Sequence, residues 1–183
     1  MDSLQGNFLI ATSQMPDPRF QRQVVYLCSH SLEDGALGLV INHPLPHTLS
    51  EIMEGANIPV PEINMPPIYL GGPVEMDAGF FLYSAEYETE NFLEVTETLR
   101  LSRDIKILWD LSRGVQPHKF MFALGYSGWA PGQLEGELAD NGWLVLPGDE
   151  EIVFNTPDDR KWDKAASNAG IDITTFGDVT GSA

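Results

Sequence analysis

The sequence predicts an α/β domain, in which short strands alternate with short helices. Two observations carry this. Runs of four to eight residues rich in Val, Ile, Leu, Phe and Tyr recur between Gly, Pro and Asp turns, as strands do. Between them stand helix-start signals, such as Thr48-Leu-Ser-Glu51 and Thr156-Pro157.

The centre of the pattern is residues 120–146. Phe120-Met-Phe-Ala-Leu124 reads as a strand, and Gly125, Gly128, Pro131 and Gly132 then read as a tight turn. Leu134 and Leu138 fall four apart on one helical face, Asn141-Gly142 is a left-handed helix stop, and Leu144-Val-Leu146 is the next strand.

From the start of the chain, residues 7–12 read as a buried strand, followed by the turn Met15-Pro-Asp-Pro18. Residues 23–30 form a second strand, whose alternation puts Val24, Tyr26, Cys28 and His30 on one face. Asp34-Gly35 is a hairpin signal, and residues 37–42 return as a third strand. His43-Pro-Leu-Pro-His47 breaks the sheet pattern. Thr48 and Glu51 then open a helix that ends near Gly55. Four prolines make residues 58–67 an extended connector.

Residues 68–70 run into the turn Gly71-Gly-Pro73, and Gly79-Phe-Phe-Leu-Tyr83 is a central strand by its continuous apolar character. Residues 96–101 form a short strand. Ser102 caps a helix through Arg113 that buries Ile105, Leu108, Trp109 and Ser112 and shows Arg103, Lys106 and Arg113 to solvent. Glu151-Ile-Val-Phe154 is a strand. The last helix, capped by Thr156, buries Trp162, Ala165, Ala166 and Ala169 and ends at Gly170. The organisation expected is one domain over residues 1–173 with a disordered polar tail over 174–183.

At 183 residues and 43% hydrophobic content the chain has the composition of a soluble globular domain. No apolar run approaches the ~20 residues of a membrane span, and the N-terminus lacks the features of a signal peptide. The single cysteine excludes an internal disulfide, so the cytoplasm is the expected compartment. A net charge of −17 opposes direct nucleic-acid contact, and no basic recognition helix is visible.

Few constellations point to chemistry. Cys28 and His30, two apart on one strand face with Cα atoms ~6.6 Å apart, suit a His-activated thiol; alternatively Cys28 is a small core residue. Gly125-Tyr-Ser-Gly128 approaches a nucleophile elbow, but Trp129 stands where that pattern has glycine. The amides after Gly132 lack the Gly-Lys-Ser/Thr of a phosphate loop. His43 and His47 flank prolines, which removes the helical metal-ligand spacing. Trp129 either anchors a partner from an exposed turn or folds back over the sheet. No cofactor and no metal site is expected.

Gly6-Asn-Phe-Leu-Ile-Ala11, Val25-Tyr-Leu-Cys-Ser-His30, Gly35-Ala-Leu-Gly-Leu-Val-Ile-Asn42, Gly71-Gly-Pro-Val74, Leu124-Gly-Tyr-Ser-Gly-Trp129, Gly132-Gln-Leu-Glu135, Asn141-Gly-Trp-Leu144 and Lys161-Trp162 follow one another in an order that resembles the YqgE/AlgH family. The resemblance covers residues 4 to 172. His43 departs from the lysine usual before Pro44, and the acidic stretch 84–98 matches no motif of the family. The resemblance implies a bent, split mixed sheet partly closed into a small barrel. It implies no established activity or cofactor; members are often labelled transcriptional regulators.

The expectation that results is a non-catalytic binding or regulatory protein acting through a surface around Gly125–Glu135. Cys28, His30, Trp129 and Gln133 are its candidate residues and a protein is its expected partner; the residues specify no oligomeric state. The alternatives are a thiol-dependent enzyme or redox sensor using Cys28 with His30, and indirect transcriptional control through a protein partner. If the four residues share one cleft, a small-molecule site follows; if they scatter, a flat interaction surface does.

Overall fold

The computed structural model describes residues 2–12 and 14–171; the tail expected over 174–183 lies outside them. Ten strands form one bent mixed sheet. They are β1 (Phe8–Ala11), β2 (Val24–Ser31), β3 (Gly35–Val40), β4 (Pro44–Thr48), β5 (Pro67–Leu70), β6 (Val74–Ser84), β7 (Leu93–Glu94), β8 (Leu99–Ser102), β9 (Phe120–Trp129) and β10 (Trp143–Leu146). The helices are α1 (Leu49–Gly55), α2 (Lys106–Ser112), α3 (Gln133–Ala139), α4 (Glu150–Phe154) and α5 (Lys161–Asn168).

The strand order is β10-β1-β2-β3-β9-β6-β8-β7, with β4 and β5 branching from β9. β9 joins the two halves. Its first half lies between β5, which is parallel to it, and the antiparallel β6; its last three residues pair with β3. The bend falls at Gly125, whose φ of +73° is open to glycine and strained for other residues. Leu70 and Gly79 both pair with Leu124, on opposite edges of β9. The intervening chain therefore crosses β9, and it does so at Gly71-Gly72, where an added Cβ would strike the β9 backbone at 2.4 and 2.1 Å.

The bend turns both halves of the sheet towards one core. Phe8, Ile10, Val24, Tyr26 and Leu39 from one half meet Phe80, Leu82, Met121 and Ala123 from the other. α4 and α5 close this core with Ile152, Val153, Trp162, Ala165 and Ala166. On the outer face of the first half, Leu9, Val25, Leu27 and Val40 pack with Trp129, Trp143 and Leu134 of α3. On the outer face of the second, Phe81, Tyr83 and Phe122 pack beneath α1 and α2. The result is a bent, split sheet wrapped round a core, its strand path running from β10 to β7 without closing.

Five local expectations are corrected. Residues 125–129 continue the strand, because the turn residues there are glycines needed for close approach and for the bend; the turn proper is Ala130-Pro-Gly132. Residues 151–154 are helical, since Asp149 accepts from the amide of Glu151 and caps them, which outweighs the β-branched Ile152 and Val153. Pro44–Thr48 is a strand paired, among the described residues, with β5 alone, an edge position where proline is tolerated. α2 starts at Lys106, after Ser102 has accepted from Asp104 instead of capping the helix, so Ile107, Leu108 and Leu111 are buried and Ile105 and Trp109 are exposed. Thr156 donates back to the carbonyl of Glu151, a 3-10 turn at Asp158–Arg160 precedes α5, and Ala169, just past the end of α5, is exposed.

The remaining capping signals hold. Thr48 accepts from the amide of Glu51 at 3.2 Å, Asn141 has φ +58°, and Gly114 and Gly170 end helices with φ of +79° and +77°.

Candidate functional site

The register of β2 decides what its residues do. Leu27 pairs with Gly38 and Ser29 with Leu37, so Cys28 is the extra residue of a β-bulge. Beyond it the alternation is inverted. Cys28 stays in the central core with Tyr26, whereas His30 pairs with Ala36 and faces the α3 side. Cys28 is wholly buried, its thiol donates to the carbonyl of Tyr26 at 3.6 Å, and burial pushes its pKa up to about 12. The Cys28–His30 thiol centre is thereby corrected: the two side chains lie on opposite faces and the thiolate is suppressed.

His30 has both ring nitrogens committed. The amide of Leu4 donates to Nδ1 at 2.9 Å, and Nε2 meets Oε1 of Glu135 at 2.6 Å. An amide can only donate, so Nδ1 is the acceptor, the neutral ring carries its proton on Nε2, and Nε2 donates to Glu135. That bond holds the Glu135 carboxyl below the usual carboxylate range. Ser3 adds a bond from its hydroxyl to the His30 carbonyl at 2.9 Å. His30 is thus a tie between the N-terminal segment, β2 and α3.

Trp129 is also structural. It is 6% exposed, and its indole meets that of Trp143 edge-on at 5.8 Å. One carboxylate oxygen of Glu137 accepts from both indoles, at 2.8 and 2.7 Å. Gln133 completes this network: its Oε1 accepts from the amide of Ala130 at 3.0 Å and its Nε2 donates to Glu137 at 3.1 Å. An exposed partner anchor at Trp129 is corrected to a buried clasp that fixes α3 against β9. Ser127, too, lies buried in β9, its hydroxyl donating to the carbonyl of Gly71 at 3.2 Å.

Cys28, His30, Trp129 and Gln133 therefore do not all share a cleft: His30 and Trp129 border one together with their strand neighbours, whereas Cys28 and Gln133 do not line it. A cleft of about 770 Å³ opens where the inner face of the sheet runs out to solvent beyond the core. The row Ser29–Leu37–Gly128, aligned across three strands, makes its floor. Tyr126 lies beside Gly128, its ring edge-on to Phe80 at 5.7 Å. A Cβ at Gly128 would stand 3.1 Å from this ring, so the absence of a side chain there leaves the tyrosine its place. Val74 and Leu93 form apolar walls, and Gln5 a polar one, bonded to the carbonyls of Glu94 and Val95 at 2.7 and 2.9 Å. The hydroxyls of Ser29 and Tyr126 make no hydrogen bond to another described residue. The hydroxyls of two residues and the carboxylate of Asp34 are thus available to a ligand.

Sequence reasoning missed Ser29 because a bulge cannot be read from alternation, and missed Asp34 and Tyr126 as site residues because only strand pairing brings them beside it. The legible signal was Tyr126-Ser-Gly128, an aromatic two residues from a glycine on one strand face. Among the described residues no group of three or more His, Cys, Asp or Glu is placed to hold a metal ion, and no helix is long and apolar enough to cross a membrane.

The family profile described as AlgH-like matches residues 8–174. The chain belongs to the AlgH-like family. A UPF0301 protein of Desulfotalea psychrophila is 45% identical over 183 residues, covering 100% of this chain and 96% of the relative. One from Ruegeria pomeroyi is 43% identical, covering 98% and 99%. Among solved structures, this AlgH-like chain is similar to the AlgH protein of Pseudomonas aeruginosa, with a TM-score of 0.80, 38% identity, and coverage of 96% of this chain and 93% of that one. A Corynebacterium diphtheriae protein shares the fold with a TM-score of 0.71 at 18% identity, covering 92% and 87%.

Proposed function

We propose that this AlgH-like chain is a cytoplasmic binding protein with a regulatory role, which takes a small ligand in the cleft beside Tyr126 and Gly128 and releases it chemically unchanged. The observation that carries this is that Ser29 and Tyr126, whose hydroxyls bond to no other described residue, both line an apolar-walled cleft of about 770 Å³. That volume is in the range of small-molecule sites, and a few convergent polar groups on apolar walls are how such sites fix orientation. The rigid clasp of Trp129, Trp143 and Glu137 supports the reading, because it holds the β9 segment that bears the cleft floor. The commitment of both His30 nitrogens supports binding over catalysis, since an acid–base group must have a nitrogen free to exchange protons with substrate.

The test is an amide NMR titration of the isotope-labelled protein with a deproteinised cell extract. Saturable shifts at Ser29, Leu37 and Gly128, lost in Gly128→Leu, are expected. Shifts confined to another face, such as α2, would overturn the assignment of the cleft.

A further inference from the structure

The charge of the cleft points to the kind of ligand. We infer that the cleft selects a small organic cation, an amine or quaternary ammonium carried on an apolar body; this rests on the cleft being the binding site. Among the described residues lining it there is no Lys or Arg, and Asp34 is the one charged group. The hydroxyl of Ser31 donates to Oδ2 of Asp34 at 3.1 Å and accepts from its amide at 2.9 Å. These bonds place the carboxylate at the hairpin end of the cleft, with Oδ1 bonded to no described residue.

Three exposed carboxylates stand next in sequence to lining residues without themselves lining the cleft. Glu33 adjoins Asp34, Glu75 adjoins Val74 and Glu94 adjoins Leu93. A concave site lined by one sign of charge on low-dielectric walls focuses the field and concentrates ions of the opposite sign. The chain's net charge of −17 acts in the same direction at longer range. Inside, the half-buried Tyr126 ring is part of the lining, where an aromatic ring attracts a cation, and Leu37, Val74 and Leu93 accept an apolar body. An anionic ligand would meet the Asp34 carboxylate and no cation among the described lining residues. A neutral one would leave Oδ1 of Asp34 without a charged partner.

The experiment compares three probes of one shape, phenethylamine, phenethyl alcohol and 3-phenylpropionate, by amide NMR at about 0.15 M salt, where diffuse surface attraction is screened. The amine is expected to shift Ser29, Leu37 and Gly128 saturably, with the alcohol roughly tenfold weaker at the same amides and the acid weaker still. Asp34→Asn keeps the acceptor for the Ser31 hydroxyl and should bring the amine down to the affinity of the alcohol. Equal or tighter binding of the alcohol or acid at these amides would overturn the cation assignment while leaving the cleft standing. So would an Asp34→Asn variant that binds the amine as wild type. Amine shifts that scatter over surface glutamates without saturating also overturn it, and the extract titration then decides the cleft itself.

Discussion

The ring of Tyr126 lies against the bare Cα of Gly128, so close that a Cβ at position 128 would stand 3.1 Å from Cε2 of the tyrosine. Gly128 is exposed in the cleft and its φ is not in the left-handed region. Alanine is therefore conformationally allowed there, and its stiffening of the unfolded chain offsets the tight contact. Gly128→Ala should change stability by less than about 1 kcal/mol, measured by urea denaturation, while weakening ligand binding in the NMR titration. A large stability loss with unchanged binding would contradict this role.

Gly125 serves a different need. It combines a φ of +73° with a Cβ position only 2.5 Å from the carbonyl oxygen of Gly72, where the chain crosses β9. Neither backbone can yield without opening the bend. Gly125→Ala should cost about 3 kcal/mol or more, from left-handed strain and overpacking together, read as a lowered urea midpoint.

Removing the indole of Trp129 should damage the fold before it touches any partner. Trp129→Ala empties the α3 side of the sheet and should cost about 3–5 kcal/mol. Glu137→Gln leaves one oxygen in place of the shared carboxylate and should cost about 1–2 kcal/mol, with red-shifted tryptophan emission as the indoles gain water.

The tie at His30 predicts a spectroscopic result. Its ring nitrogens should show the neutral form protonated at Nε2, because Leu4 donates to Nδ1 and Glu135 accepts from Nε2. His30→Ala leaves the Leu4 amide and the Glu135 carboxylate without this partner and should cost about 1–3 kcal/mol, with faster amide exchange at Leu4.

The thiol of Cys28 should resist alkylation at neutral pH and react once the protein is denatured. Its folded pKa is raised from 9.0 to about 12, so the unfolded state loses its proton first as pH rises. The stability this thiol contributes is complete below pH 9.0 and should decline as pH climbs through the window from 9.0 to about 12, in a Cys28-dependent manner. Cys28→Ala should flatten that part of the pH–stability profile.

Much of this architecture was written locally. The cap at Thr48, the stops at Gly114, Asn141 and Gly170, and the buried stripe of Trp162, Ala165 and Ala166 depend on neighbours within one or two turns, which is why they could be read. The misreadings involve tertiary demands. Gly71, Gly72 and Gly125 look like turn residues, yet they are glycines because two backbones cross; that crossing brings together residues far apart in the chain. The Cys28 bulge shifts a register set by β3, and no periodicity within β2 records it. Glu137 reads as a surface helix residue until Trp129 and Trp143 are seen to donate to the same oxygen. The candidate site shares this property, since Ser29, Leu37 and Gly128 become neighbours only through strand pairing.

The claim that the Tyr126–Gly128 cleft binds a ligand without transforming it is tested most directly by equilibrium dialysis against a deproteinised extract, with mass spectrometry of both compartments. The account predicts that wild-type protein concentrates a compound which is recovered intact, and that Gly128→Leu, folded by circular dichroism, does not. A compound consumed in the presence of wild-type protein, or one retained equally by Gly128→Leu, would contradict it.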